Sequence, residues 1–207
     1  MIVLSLNIRG IRKDGKARWI RSLCGKENPW VTALQETRCG TYKESFITYC
    51  WGSSNFKYVQ KDPIGFSGGS LLIWNPTIIK VNEAIEGEFF LAIKGKIEGI
   101  DPEVAIVNVY GPHSTPKKIR FWDSLEALIS QINMPWLICE DFNEVRSQSE
   151  RFNCEFNPNW ANRFNDIINR LRLIDIPLGG KKFTRVCDNG ITFSKLDRFL
   201  ISEEFNQ

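Results

Sequence analysis

Short apolar, β-branched runs recur along this chain, and several of them stop at a polar residue. Ile2–Leu6, Val31–Leu34, Gly69–Trp74, Phe89–Ile97, Val104–Val109, Trp136–Cys139, Lys182–Val186 and Phe193–Ile201 are predicted strands. Between them lie three stretches with helical periodicity. Lys16–Cys24 places Trp19, Ile20, Leu23 and Cys24 on one face; Pro116–Ile132 has a stripe of Ile119, Trp122, Leu125, Ile129 and Ile132. Trp160–Leu171 turns Phe164, Ile167, Ile168 and Leu171 inward, with Asn159 as a candidate opening residue, and Thr115-Pro116 supplies a cap and first turn for the long helix. Strands that follow strands without a helix between them argue for mixed rather than all-parallel sheets. The expected fold is therefore α/β (α+β), with two mixed β-sheets packed face to face and helices outside.

No linker or low-complexity segment divides the chain, so residues 1–207 are expected to form a single domain. A hydrophobic fraction of 43% and a charged fraction of 25% exclude a disordered chain, and no apolar run reaches the roughly 18 residues of a membrane span. The N-terminus reads directly as a strand and lacks the pattern of a secretory signal. Six cysteines without a C-x-x-C pair point away from a disulfide framework or a zinc site and towards free thiols. An intracellular, reducing location, nuclear or cytoplasmic and not secreted, is the expectation. The net charge of +3 permits a polyanionic partner without requiring one.

The chemistry is expected where the strands end. Asn7 follows the first strand, Gln35 and Glu36 the second, Tyr110-Gly-Pro a later one, and Glu140-Asp-Phe-Asn143 another. Strand ends gather on one rim of a sheet, where α/β enzymes assemble their sites. In extended chain Asp141 and Asn143 would face one side while Phe142 points into the core. A carboxylate there can orient a water, an amide can donate to a phosphate oxygen, and Glu36 alone can hold Mg²⁺, which tolerates one or two protein carboxylates. Each of these residues taken singly is equally readable as loop or turn chemistry.

Taken in order, the segments Ser5-Leu-Asn-Ile-Arg-Gly10, Leu34-Gln-Glu-Thr37, Gly68-Gly-Ser-Leu-Leu-Ile-Trp-Asn-Pro76, Val109-Tyr-Gly-Pro112, Asp141-Phe-Asn-Glu-Val-Arg146 with Glu150-Arg151, Asp175-Ile-Pro-Leu178, Lys182-Phe-Thr184 and Ser194-Lys-Leu-Asp-Arg-Phe-Leu200 resemble the endonuclease domain of LINE-type non-LTR retrotransposons. That is a branch of the endonuclease/exonuclease/phosphatase (DNase I-like) superfamily, and the resemblance implies its four-layer sandwich. It also implies roles. Glu36 is the principal metal ligand, with Asn7 supporting the metal site, and the ion is Mg²⁺, with Mn²⁺ as a substitute. Tyr110 contacts the scissile phosphate, Asp141 positions or deprotonates the attacking water, and Asn143 steadies the developing charge. Thr184 touches DNA, and Asp197 orients a catalytic histidine.

Two departures from the family pattern stand out. Glu140 occupies a position where the family has glycine. The family also ends in a strand carrying Ser-Asp-His, whereas this sequence stops at Gln207, and its one histidine, His113, matches no catalytic position. The expectation is a domain lacking its C-terminal strand, feeble or inactive by itself, since one member of a catalytic unit is often worth several kcal/mol. The expected partner is DNA, nicked on one strand, in a protein fused to or derived from a reverse transcriptase polyprotein, with no membrane. Arg9, Arg12, Lys13, Lys16, Arg18 and Arg21, then Lys117, Lys118 and Arg120, then Lys181 and Lys182, are candidate phosphate clamps. Trp51, Phe56 and Tyr58 are expected to pack rather than stack on bases. Two alternatives stay open: a non-catalytic remnant that binds nucleic acid, and a phosphatase or phosphodiesterase of the same fold acting on inositol phosphates or lipid head groups.

Overall fold

The computed structural model describes residues 1–13, 15–65, 67–131, 134–187 and 190–206. Ile132, at the end of the predicted stripe, lies outside the described residues, as do Gln207 and the side chain of Glu140. The chain is mixed α/β, with two large mixed sheets and four α-helices among the described residues. It divides into two compact units, residues 1–108 and 109–207.

The first unit runs β1 (Val3–Asn7), α1 (Lys16–Glu27), β2 (Val31–Gln35), α2 (Glu44–Trp51), β3 (Lys57–Ile64), β4 (Ser67–Trp74), β5 (Ile79–Glu86), β6 (Phe90–Ile97) and β7 (Val104–Tyr110), the chain entering the second unit at the end of β7. One sheet has the order β1-β2-β4-β3; β1 and β2 are parallel, and the other pairs antiparallel. Beside it, β7, β6 and β5 follow in that order, with β3 and β4 packed on β6. Every residue of β2 is buried, as expected of a strand covered on both faces. On one side, α1 and α2 pack against each other over a core of Ile8, Ile20, Cys24, Leu34, Ile47 and Leu71. Phe56 lies in this core, with Trp51 and Tyr58 packed against it, as the sequence suggested.

The second unit continues with α3 (Thr115–Gln131), β8 (Trp136–Asp141), β9 (Arg151–Phe152), α4 (Pro158–Arg170), β10 (Leu173–Asp175), β11 (Arg185–Val186), β12 (Phe193–Ser194) and β13 (Asp197–Ser202). Strands β10, β13 and β8 are antiparallel neighbours in that order, and β11-β12-β9 form a small separate sheet. Phe142 lies in an aromatic cluster, its ring centroid 6.1 Å from Trp122 of α3 and 5.3 Å from Phe164 of α4.

Several boundaries differ from the sequence reading. Helix α4 opens at Pro158, not Asn159, because the Asn157 side chain caps it by accepting from the backbone N–H groups of Asn159 and Trp160. Helix α3 begins at Thr115 itself, Ser114 accepting the Lys118 N–H. Its inward face is Phe121, Trp122, Leu125 and Leu128, while Ile119 is exposed, so the apolar stripe is rotated from the predicted one. In α1, Ile20 and Cys24 are buried and Trp19 is exposed. The predicted Phe193–Ile201 strand is two strands. Between them Lys195 N–H donates to Glu150 O and Leu196 N–H to the Thr184 hydroxyl, so the chain leaves the small sheet before joining β8. For the same reason the predicted Lys182–Val186 strand shortens to Arg185–Val186.

Candidate functional site

The parallel register pairs Asn7 with Gln35, which leaves Glu36 just past the end of β2 beside the end of β1. The two segments keep bonding beyond the sheet: Ile8 N–H donates to Gln35 O, Gly10 N–H to Glu36 O, and Ile11 N–H to Thr37 O. On the other side Thr37 and Arg38 N–H donate to the carbonyls of Gly69 and Gly68. Glu36 is thereby clamped from both sides. It has φ 48°, a left-handed conformation that a non-glycine residue adopts at a cost, and Arg9 (47°) and Arg38 (51°) share it.

This local geometry aims the Glu36 carboxylate at defined partners. Asn7 Nδ2 donates to Oε1 at 3.0 Å, and Arg38 Nη2 donates to Oε2 at 2.8 Å. Glu36 is 9% exposed. Burial alone would raise its carboxyl, but the hydrogen bonds from Asn7 and Arg38 and the charges of Arg38 and Arg9 prevail and hold it below its ordinary value. The group is an oriented, ionised carboxylate at physiological pH. Arg38 was not foreseen from the sequence. Nothing in its spacing marks it, because only the left-handed turns at Glu36 and Arg38 fold the guanidinium back.

Beneath Glu36 lies a second feature the sequence reading missed. Gln35 and Asn108 are fully buried; Gln35 Nε2 donates to Asn108 Oδ1 and, at 3.3 Å, to Ser5 Oγ, while Asn108 Nδ2 donates to Leu34 O at 3.2 Å. An asparagine inside the apolar β7 was read as strand interior. Its amide ties the floor under Glu36 to β7, although the Gln35 Oε1 of the same link accepts no hydrogen bond among the described residues.

In the second unit β8 ends at Asp141 and the chain turns sharply. Asn143 has φ 50°, its N–H donates to Asp141 Oδ1 at 2.7 Å, and its Nδ2 donates to Gly111 O at 2.5 Å. The expectation that Asp141 and Asn143 share a side of an extended strand is therefore corrected. Their two-residue spacing is closed by an Asx-type turn, not by strand alternation. Phe142 does point into the core, as expected, at 1% exposure. Gly111, which follows Tyr110 at the end of β7, donates its N–H to Asp141 O at 2.7 Å. A Cβ on Gly111 would strike the Phe142 carbonyl, so this approach requires glycine.

The antiparallel register sets Asp197 directly opposite Asp141, and cross-strand partners present side chains on one face. Thr184 braces that strand, its hydroxyl accepting the N–H groups of Leu196 at 3.0 Å and Asp197 at 3.1 Å. Asp141, Asn143, Asp197 and Thr184, together with Gly111 next to Tyr110, thus belong to one connected neighbourhood, and Asn7, Arg9 and Glu36 to another in the first unit. Lys118, a predicted phosphate clamp, is instead committed inward: Nζ lies 2.6 Å from Glu144 Oε2 and 3.3 Å from Asn143 O, with the side chain 13% exposed. Arg9, Arg12, Lys13, Arg18 and Arg21 are exposed, with Arg12 bonded to Thr41 O and Arg21 to Tyr49 O.

The donor chemistry fits a hard divalent cation. Glu36 and Asn7 offer oxygen donors, which a hard cation such as Mg²⁺ prefers, and one or two protein carboxylates completed by waters suffice for that ion. Arg38 competes for one of the Glu36 oxygens, but its half-exposed side chain can withdraw.

The sequence pattern of the Endonuclease/Exonuclease/phosphatase family matches residues 4–206. No curated protein matches the sequence. Among solved structures, the 3′ phosphatase NExo from Neisseria, bound to product DNA hairpin, is similar with a TM-score of 0.74 at 14% identity, covering 98% of this chain and 87% of that one. The AP endonuclease LMAP from Leishmania major gives 0.71 at 16% identity, over 98% and 79% of the two chains. The endonuclease domain of TRAS1, a telomere-specific non-LTR retrotransposon, gives 0.68 at 11% identity, over 97% and 84%. At these identities the likeness is one of fold.

Proposed function

The chain belongs to the endonuclease/exonuclease/phosphatase family, and from that premise we propose that it hydrolyses phosphodiester bonds in DNA with a divalent metal, nicking one strand. The observation that carries this reading is the Glu36 carboxylate, buried, kept ionised and oriented by Asn7 on a backbone held in the left-handed region. Glu36 and Asn7 would hold Mg²⁺, which supplies charge stabilisation for the phosphate. Asp141 positions or deprotonates the attacking water, Asn143 and Tyr110 bear on the phosphate, and Asp197, opposite Asp141 in the register, is the residue that would hold a catalytic histidine. The ordered motifs further favour a retrotransposon-type endonuclease associated with a reverse transcriptase.

The test is relaxation of supercoiled plasmid in Mg²⁺ and in EDTA, with Glu36→Gln and Asp141→Asn alongside. Metal-dependent nicks ending in a 3′-hydroxyl, lost in both variants, support the proposal. Hydrolysis of inositol phosphates or lipid head groups without nicking would replace it with the phosphatase reading. DNA retention without cleavage would leave a binding remnant.

A further inference from the structure

We propose that the small sheet β11-β12-β9 is a stacking platform for unpaired bases of a single nucleic-acid strand. The register places Val186, Phe193 and Phe152 side by side across its three strands, so all three side chains stand on one face. The opposite face carries Arg185, Ser194 and Arg151 and is the anchored one: Ser194 is 5% exposed, and Arg151 reaches the buried Glu144 at 3.7 Å.

The first face is open. Phe152 is 53% exposed and Val186 51%. The Phe193 ring lies 6.0 Å from Phe152 and 5.8 Å from Phe183, which makes a continuous aromatic row. Asn153, in the left-handed conformation with φ 50°, fixes the end of β9 by donating to Ile191 O at 3.1 Å.

An apolar row left in solvent implies a ligand that covers it, and the charges beside it decide which. Lys181 and Lys182 precede β11, are exposed and form no ion pair among the described residues; Lys182 Nζ lies 5.5 Å from the Phe183 ring. Rings flanked by uncommitted cations match a strand whose bases stack while its phosphates meet ammonium groups. A duplex hides its base faces, so the ligand is a single strand, gap or flap. Thr184 sits between the platform and β13 with its hydroxyl accepting two backbone N–H groups, so it holds the loop while its neighbours make the contact.

Binding here needs no metal, which separates the platform from the hydrolysis proposed above. The full chain in EDTA is titrated into fluorescein-labelled thymidine and uridine oligomers of about 20 nucleotides and into a duplex of the same length, read by anisotropy. Phe152→Leu, which stays apolar without an aromatic face, should weaken single-strand binding about tenfold, while Phe152→Tyr keeps it. Lys181→Gln with Lys182→Gln should flatten its salt dependence. Whichever oligomer binds with that dependence on Phe152 identifies the strand. Unchanged single-strand affinity in Phe152→Leu overturns the proposal, as does an equal loss for the duplex. A change of oligomeric state in Phe152→Leu with DNA affinity intact would assign the face to a second copy instead. Nicking that persists while these effects fail would leave the hydrolase reading standing; these effects without nicking would leave the platform standing.

Discussion

Asn7 and Glu36, 29 residues apart, are joined by a 3.0 Å hydrogen bond across the ends of two parallel strands, and Arg38 occupies the second carboxylate oxygen. Because these partners hold the Glu36 carboxyl below its ordinary value, the pH dependence has a definite sign. A depressed folded-state pKa adds stability above the unfolded value, and that contribution is lost as pH falls through the folded value. Asn7→Ala should move the Glu36 titration upward, as seen in its carboxyl carbon shift by NMR. The stability gap between wild type and variant should be widest near neutral pH and shrink in the acid range, as followed by urea midpoints.

Arg38 competes with any cation for Glu36. Arg38→Gln should therefore tighten Mn²⁺ binding, by roughly tenfold if about 1.4 kcal/mol of competition is removed, as measured by calorimetry without substrate. Unchanged affinity would mean that the guanidinium leaves at no cost.

Gly111 approaches the Phe142 carbonyl too closely for any Cβ. Gly111→Ala should push the turn at residues 141–143 away from β7, breaking the bonds that place Asp141 and Asn143. The expected result is a loss of about 1–3 kcal/mol in stability, of the size seen for overpacked sites. Nicking should fall further than stability explains, as read from turnover at a temperature where the variant remains folded.

Arg198 is fully buried between Glu150 and Asp175, with Nη1 2.5 Å from Asp175 Oδ2, and Arg146 and Lys195 also reach this pair. Arg198→Met should cost about 3–5 kcal/mol by stranding buried carboxylates, measured as a drop in the urea midpoint. This network also gives motif residues without a chemical role a structural one: Arg146, Glu150, Asp175 and Arg198 share one ion-pair cluster.

The free thiols divide by burial. Burial pushes the Cys50 thiol up to about 12 and raises that of Cys24, so neither yields thiolate at neutral pH. Iodoacetamide should label the partly exposed Cys154 and Cys187 first and leave Cys24 and Cys50 unmodified until the protein unfolds, as read by peptide mass mapping.

What could be read from the sequence was the set of strands buried on both faces, β2, β6 and β7, whose apolar runs admit little else, together with the polar residues that end β1, β2 and β8. The edge strand β1 was also read, as Ile2–Leu6, but the edge strands β3 and β5 were not. Lys-Tyr-Val-Gln-Lys-Asp-Pro-Ile, now β3, is polar and contains Pro63, which an edge tolerates. β5 is an edge strand interrupted by a bulge between Val81 and Glu83. Helix α2 escaped because only Ile47 and Cys50 of its eight residues are buried, too few to show a period. In the site, residue types were legible and backbone conformation was not. Glu36, Arg38 and Asn143 take left-handed angles that no side-chain pattern announces, and these angles brought in Arg38 and closed the turn at Asn143.

Those left-handed residues bear on how the protein would respond to artificial selection. At Glu36, Arg38 and Asn143 the strained backbone is offset by the hydrogen bonds their side chains make, whereas the exposed Arg9 carries a left-handed cost of about 1–2 kcal/mol that a glycine would relieve. Screening for heat tolerance alone would therefore favour glycine at Arg9 and erase its charge, so a directed-evolution campaign on this scaffold should hold that position fixed from the outset.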